Sequence, residues 1–347
     1  MSIRRVVVCE AQVPFIRGGA EYQVRSLISA LRDRGVETEL VAVPFKWYPA
    51  EELLAHAAAW RLLDLTESNG QVIDRVIATK FPTYFVRHPN KVAWLMHQYR
   101  AAYELCGTPY SEFTHSEEHV GVRDTLVRLD REILGECRHV YTNAQNTANR
   151  LKKYNAVEAT ALYPPSPYTG RLQAGPYGNY VLAVGRVETI KRPDLPVRAM
   201  AHVDPGLRLV VAGTGSALAD TRQLAASLGV ADRVDFLGAV GEEELLRLYS
   251  EAMAVLYTPF DEDFGYVTVE AFLSRKPVVT VSDAGGPLEF VVDGVNGCVC
   301  EPDPEALASA VNDLAANRSR LAGLGADGFE RVRGITWDSV VDALLLA

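Results

Sequence analysis

Apolar positions along this chain follow two alternating rhythms. Short unbroken runs such as "RRVVVCEA" and "VETELVAVP" read as buried strands; between them "GGAEYQVRSLISALRDRG" repeats apolar residues every three to four positions until Gly35 closes it. The opening is therefore β-loop-α-β. The region 51–65 reads as helical, "DRVIATK" and "KVAWLMH" as short strands, "HVGVRDTLVRLDREILGEC" as a long helix, and "RHVYTNA" as a strand ahead of "QNTANRLKKYN". After "ALYPPSPYTGRLQAGPYGN", dense in Pro, Gly and Tyr, alternation restarts with "YVLAVG" and runs on through "LRLVVAG", "RVDFLG", "AVLYTP" and "KPVVTVS". Strands that alternate with helices pair in parallel, so two α/β Rossmann-like parallel-sheet domains in tandem are expected, spanning 1–165 and 179–334 with a hinge-like linker at 166–178. Open sheets bind ligands beyond the carboxyl ends of their strands, which predicts a cleft between the domains.

Composition narrows the chemistry. With 347 residues, 48% hydrophobic and 23% charged, the chain is large enough for two cores. A formal charge of -9 excludes a general nucleic-acid binder and makes any phosphate site local. The five cysteines, Cys9, Cys106, Cys137, Cys298 and Cys300, are scattered and include no C-x-x-C pair, which points to a reducing cytoplasm and to neither a disulfide framework nor a thiolate zinc site. No eighteen-residue apolar segment occurs, and the helical stretch "EELLAHAAAWRLLDL" carries acids and lacks a basic face. Weak peripheral contact is the most that a membrane is expected to offer.

Candidate chemistry lies in loops that follow strands. "PFDEDFGYVTVEAFLSRKPVV" sets Glu262 and Glu270 eight positions apart across Phe264-Gly265. A helix starting near Phe264 or Gly265, with Asp263 as N-cap, presents first-turn amides to an anion and flanks it with two hydroxyl-accepting carboxylates. The same letters also describe a capped amphipathic helix with two solvated glutamates. "GRVETIKRPDL" offers Gly185 for a close turn and the cations Arg186 and Lys191, a planar fork and a mobile point charge suited to a diphosphate, or merely to solvent. Gly18 and Gly19 open the first helix, Gly285 and Gly286 follow a late strand, and both pairs read as backbone approach to a ligand or as turn chemistry. His97 stands where "KVAWLM" runs out and can reach a ligand as an uncharged imidazole. Tyr99, Arg100, Tyr103 and Tyr110 follow it in a polar aromatic segment that suits stacking on a carbohydrate acceptor, or a structured loop.

Taken together, "GGAE", the His after an N-domain strand, "YPP", "VGR" plus five to Lys, "VDFLGAV", E-x7-E around "FG", "KPVV", "GG" plus three to Glu, and "DGVNG" resemble the retaining glycosyltransferases of the large family four, which have the GT-B architecture. The match covers nearly the whole chain. The resemblance implies a nucleotide-sugar donor, GDP-, UDP- or ADP-linked, held mainly by the C-terminal domain, and a glycosyl acceptor held by the N-terminal one, in glycan biosynthesis. Arg186 and Lys191 would clamp the diphosphate, Glu270 take the ribose and Glu262 the donor sugar, with further phosphate ligands around Phe264 and Gly265. Gly18, Gly19 and Gly185 would approach the donor, His97 bond its sugar, and the backbone from Gly238 to Val240 frame the base. No metal or other cofactor is implied. The final stretch "ITWDSVVDALLLA", residues 335–347, resembles the family's helix that crosses back to the first domain. Arg192-Pro193 stands where the Lys is often followed by Gly, so Arg192 can share or replace part of Lys191's role.

Four rival readings remain. A Rossmann oxidoreductase would want a complete G-x-G-x-x-G, which neither "AGTGSA" nor "FIRGGA" supplies. A GT-B epimerase or phosphorylase, a non-catalytic sugar-nucleotide binder, and a zinc protease at "HSEEH" are the others.

Overall fold

The computed structural model describes residues 3–15 and 18–347. The chain divides into two units, Met1–Pro167 with Ile335–Ala347, and Tyr168–Gly334.

In chain order the first unit contains β1 (Arg5–Gln12), α1 (Gly19–Asp33), β2 (Glu37–Pro44), α2 (Glu52–Leu62), a small hairpin β3–β4 (Glu67–Ser68, Gln71–Val72), β5 (Arg75–Ala78), β6 (Lys91–Leu95), α3 (Glu117–Leu134), β7 (His139–Thr142), α4 (Gln145–Asn155) and β8 (Thr160–Ala161). Its six-stranded sheet is parallel throughout, in the order β2-β1-β5-β6-β7-β8. Both faces of such a sheet are covered, which is why β1 reads as an unbroken apolar run and buries Val6 to Ala11. Lys91 begins β6 and is nonetheless buried. Its ammonium donates to the carbonyls of Tyr84 and Val86 at 2.7 and 3.1 Å and pairs with Glu136 at 3.2 Å. α1 turns Val24, Leu27, Ile28 and Leu31 to the sheet, and Gly35, at φ 75°, takes the left-handed turn that ends it. α3 begins at Glu117 because the Ser116 hydroxyl accepts from the His119 amide.

The second unit runs β9 (Tyr180–Val184), α5 (Asp194–Ala199), β10 (Arg208–Ala212), α6 (Leu218–Ser227), β11 (Val234–Gly238), α7 (Glu242–Glu251), β12 (Ala254–Leu256), α8 (Tyr266–Leu273), β13 (Val278–Val281), β14 (Gly297–Cys300), α9 (Pro304–Ala316) and α10 (Leu321–Val332). Its sheet is again parallel, ordered β11-β10-β9-β12-β13-β14, the doubly wound order. The winding reverses between β9 and β12 here, and between β1 and β5 in the first unit. At such a reversal two neighbouring loops leave in opposite directions and open a crevice.

The Pro- and Gly-rich stretch expected as a linker is partly built into the second unit. Buried Lys276 donates to the carbonyls of Gly175 and Pro176 at 2.9 and 3.0 Å and lies 4.1 Å over the Tyr177 ring, while Gly178 bonds to Glu251. A lysine drawn from water needs those carbonyls, and burial still depresses it to about 8. After Gly334 the chain returns to the first unit as α11 (Trp337–Leu346), which buries Val340, Val341 and Leu344 in a cluster with α1 and β1. Arg34 pairs with Asp338 at 3.0 Å and Asp342 at 2.5 Å. Among the described residues no helix is long and apolar enough to cross a membrane.

Candidate functional site

The reversal point of the second unit gathers the strongest constellation. β9 ends at Val184, and Gly185 follows at φ 127° with open space where a Cβ would stand. Arg186 sits exposed on this tip. The loop is braced from behind: Gly185 and Val187 donate to Ala212 and Thr214, and a Cβ on Gly213 or Gly215 would strike the backbone of Gly185 or Val187. The glycines of "AGTGS" therefore let one backbone lie on another. A short 3-10 turn, Thr189–Lys191, then carries the Lys191 ammonium onto the Glu262 carboxylate as a part-buried ion pair.

Arg192 is turned to other partners than Lys191. Held in the left-handed region at φ 48°, it grips Asp283 through two nitrogens at 3.0 and 2.5 Å and donates to the carbonyls of Thr258 and Pro259 at 3.0 and 2.6 Å. All these bonds fasten the loop after β9 to the loops after β12 and β13. A guanidinium fixed by two carbonyls and a bidentate carboxylate has little reach left for a ligand.

Glu262 enters this site on an extended segment. Its amide donates to Ala284 at 2.8 Å and its carbonyl accepts from Gly286 at 2.8 Å, a parallel bridge beside Gly285. Gly286 is therefore pressed against Asp263 and Phe264, where a side chain has no room, and it offers no open approach. The Glu262 carboxylate also accepts from the Tyr257 hydroxyl at 3.1 Å. Burial, then the neighbouring Glu262 charge, raises the Tyr257 phenol well above its usual range and keeps it a donor.

Asp263 is not the N-cap of the helix that follows. α8 starts at Tyr266, later than expected, because Gly265 occupies the left-handed cap position at φ 82°, ψ 71°. A side chain there would meet Tyr257 at 2.8 Å and Pro287 at 3.1 Å, so the tight corner beneath Glu262 requires glycine. Phe264 is buried and stacks edge-on with Tyr266 and Phe290. Glu270 lies on α8 with its side chain buried, one oxygen accepting from Tyr249 at 2.8 Å. Gly238 closes β11 at φ 71°, open on its Cβ side, and Val240 follows it half-buried.

In the first unit the reversal lies between β1 and β5. Gly18 caps α1 in extended backbone, its amide donating to Glu21 at 2.8 Å, and Gly19 is exposed at the first helical position. Glu21 pairs with Lys80 at 3.4 Å, both nearly buried, and Glu10 lies next to them. Burial raises the Glu10 carboxyl, with Lys80 pulling it down and Glu21 pushing it up. His97 follows β6, its Nδ1 lying 2.6 Å from the Gln98 carbonyl. Tyr99 donates to Glu112 and packs among Phe45, Phe81 and Phe113, while Arg100 pairs with Glu104 at 2.5 Å.

Tyr103 departs from the acceptor expectation. It is 5% exposed and hydrogen-bonded inside the unit to Asp130 and Asn155, so it presents no ring face for stacking. "HSEEH" is also spent structurally: His119 accepts from the Thr114 amide at 3.0 Å and stacks on Phe113. The sequence reading passed over Tyr257, Lys80 and Glu21. Their one signal is position: Tyr257 directly follows β12, Lys80 comes two residues after β5, and Glu21 lies in the first turn of α1, all beside the reversal points.

Comparison with known proteins places this architecture. The family model described as "Glycosyl transferases group 1" matches residues 172–331. A D-inositol 3-phosphate glycosyltransferase of Actinosynnema mirum is 33% identical, the alignment covering 95% of this chain and 91% of that protein. Among solved structures, a sucrose-phosphate synthase from Thermosynechococcus elongatus superposes with a TM-score of 0.78 at 19% identity, covering 98% and 97% of the two chains. The Anabaena protein HepE, solved in complex with UDP and glucose, does so at 0.69 and 17%, covering 98% of each.

Proposed function

Because the chain belongs to the group 1 glycosyl transferases, we propose that it moves a sugar from a nucleoside-diphosphate donor to a hydroxyl acceptor with retention of anomeric configuration and without a metal. The observation that carries this reading is the meeting of Lys191, Glu262 and Tyr257 at the reversal point of a doubly wound sheet, with Arg186 exposed on the loop that leaves the same strand as Lys191. A diphosphate there meets Arg186 on the loop tip and draws Lys191 away from Glu262. The released Glu262 carboxylate, still oriented by Tyr257, is then available to the donor sugar's hydroxyls. Glu270 is assigned to the ribose, the Gly238–Val240 backbone to the base, and His97 to the donor sugar. The glycosyl C–O bond to the diphosphate breaks while the new C–O bond forms on the same face, and the acceptor's proton passes to the departing phosphate oxygen. In that sequence the chain supplies position and positive charge at the oxygen that becomes anionic.

A UDP-linked sugar is the first donor to test, because the structural neighbour HepE was solved with UDP. A phosphorylated polyol is the first acceptor, because the Actinosynnema relative carries the name of an inositol phosphate transferase. The test has three parts. A thermal-shift panel of UDP, GDP and ADP selects the base, since a ligand of the folded state raises its melting temperature. Incubation of the matching nucleotide sugar with inositol 3-phosphate or simple sugars in EDTA should then release nucleoside diphosphate and form glycoside in equal amounts. NMR of the product should report the donor's anomeric configuration. Full turnover by Arg186→Ala and Lys191→Ala, or loss of turnover in EDTA, overturns the reading.

A further inference from the structure

Beneath His97 runs a line of four buried polar side chains that the reaction above does not use. Gln98 is 1% exposed, and its amide Nε2 donates to Asn155 Oδ1 at 2.5 Å. Asn155, equally buried at the end of α4, donates from Nδ2 to the Tyr103 hydroxyl at 3.1 Å, and from the same group to the Val127 carbonyl of α3 at 3.1 Å. Tyr103 in turn donates to Asp130 Oδ2 on α3 at 2.6 Å. All three side-chain bonds point the same way, toward a carboxyl group, and bonds in series that share a direction polarise and strengthen one another.

This line of bonds joins two helices, α3 and α4, to a segment that lacks a ladder of its own. After β6 the backbone makes only a short 3-10 turn, Arg100–Ala102, before it leaves for α3. Gln98 is tied into the chain by its side chain, while its carbonyl accepts from the imidazole of His97. A carbonyl can only accept, so the proton of a neutral His97 is on Nδ1 and its Nε2 is left as an acceptor. Whatever fixes Gln98 therefore fixes the tautomer and tilt of His97.

We propose that Gln98, Asn155, Tyr103 and Asp130 are positioning residues for His97, holding its imidazole in the Nδ1–H form through the Gln98 carbonyl. The catalytic consequence rests on the assignment of His97 to the donor sugar given above; the structural one does not. A histidine held in one tautomer presents an oriented lone pair to a hydroxyl, whereas one that exchanges tautomers spends part of its time presenting a donor instead.

Two readouts separate these consequences. Long-range 1H–15N correlation spectra of the labelled full chain, with His97 assigned from the His97→Ala variant, should show a pure Nδ1–H tautomer in the wild type. Tyr103→Phe, which cuts the chain in its middle, and Gln98→Leu, which cuts it at its end, should each give a mixture. An unchanged tautomer in both variants overturns the proposal. Kinetics are then followed with UDP-, GDP- or ADP-glucose, whichever the protein turns over. Tyr103→Phe should lower kcat by about tenfold with donor KM changed less than about twofold, and should cost nothing further in a His97→Ala background. Losses that multiply in the double variant overturn the positioning role while leaving the His97 assignment intact. Full activity of His97→Ala sinks that assignment and the catalytic consequence with it, while the spectra still decide the structural claim. Asp130→Asn, which keeps an acceptor oxygen, should lose less kcat than Asp130→Leu; equal losses count against a hydrogen-bonded chain.

Discussion

Glu262 is held in place by two different donors. On the reading proposed above Lys191 is the charge that leaves for a diphosphate, whereas the buried Tyr257 hydroxyl does not follow it. Removing the hydroxyl should therefore damage donor handling more than the fold: Tyr257→Phe is expected to lower kcat/KM for the donor by about 10–150-fold, the equivalent of one hydrogen bond to a charged group, with the melting temperature changed by only a few degrees. Lys191→Ala should cost about 10²–10³ in kcat, because it removes charge at the leaving oxygen, and initial-rate kinetics on the selected donor distinguish the two. Asp130 gives a stability prediction with a defined sign. Burial raises its carboxyl from 3.8 to about 7, with Tyr103 and Tyr84 as the polar neighbours that face it and pull it back. The folded state thus holds this proton more tightly than the unfolded chain, so the group's stabilisation is complete below about pH 4 and is lost as pH rises through 7. Urea denaturation at pH 5 and pH 8 should show the wild type losing on the order of 2–3 kcal/mol more than Asp130→Asn across that interval. Residue types were legible in the sequence: Arg186, Lys191 and Glu262 stand out as charges in loops that follow strands, and Glu270 as a carboxylate on the helix after one. Partners were not. Nothing in "TIKRPD" says that Lys191 meets Glu262 while Arg192 is consumed by Asp283, because one step of backbone into the left-handed region at Arg192 decides which cation faces where.

At the scale of elements, periodicity located the strands and long helices, and local chemistry misplaced some of their ends. Asp263 has the right composition for an N-cap and the wrong backbone, since the corner that carries Glu262 past β13 ends in a left-handed Gly265. The glycines show the same limit. Gly285-Gly286 and Gly213-x-Gly215 look alike in sequence to Gly185 and Gly238, yet Gly213, Gly215 and Gly286 lie against their own backbone while Gly185 and Gly238 face open space. Only tertiary packing decides between those outcomes. It also gives a paired prediction. Gly265→Ala and Gly238→Ala each force a Cβ into positive φ, worth about 1–2 kcal/mol, but Gly265→Ala additionally drives its methyl against Tyr257 and Pro287. We expect Gly238→Ala to lower thermal stability modestly, and Gly265→Ala to lower it further and to disturb donor binding through the displaced Tyr257. Calorimetry with and without the nucleoside diphosphate measures both effects.

For the whole molecule, alternation of strand and helix was enough to predict two parallel sheets in tandem, but strand order was beyond its reach, because β1 pairs with β5 across the whole of α1, β2, α2 and the β3–β4 hairpin and no periodicity records that choice. The return of the chain after Gly334 is likewise a tertiary decision, and its energetics can be argued from the residues that accept it. α11 covers α1 and β1 with Val340, Val341 and Leu344, each nearly or fully buried, and Trp337 packs edge-on against Trp94 at 6.0 Å. It also satisfies an otherwise awkward cation. Arg75, 3% exposed on β5, donates to the carbonyls of Leu344 and Ala347, and burial already lowers its pKa. Removing residues 335–347 would take away the burial of those three aliphatic side chains, uncover the α1 and β1 residues they pack on, and strip Arg75 of both carbonyls, leaving it Asn90 alone at 3.1 Å. At about 1.5–3 kcal/mol for each buried aliphatic, with more for a cation that loses two of its three acceptors, the loss approaches the whole stability of a typical domain. The deletion should therefore leave the first unit unfolded or aggregating, while the second unit, whose core contains no α11 residue, retains its nucleoside-diphosphate response. Leu344→Ala is the graded version, expected to cost about 2–5 kcal/mol in the first unit's unfolding transition alone. Amide exchange in β1 and β5 should accelerate accordingly while β9 and β12 hold their protection, and equal acceleration in both sheets would show that the two units do not unfold independently.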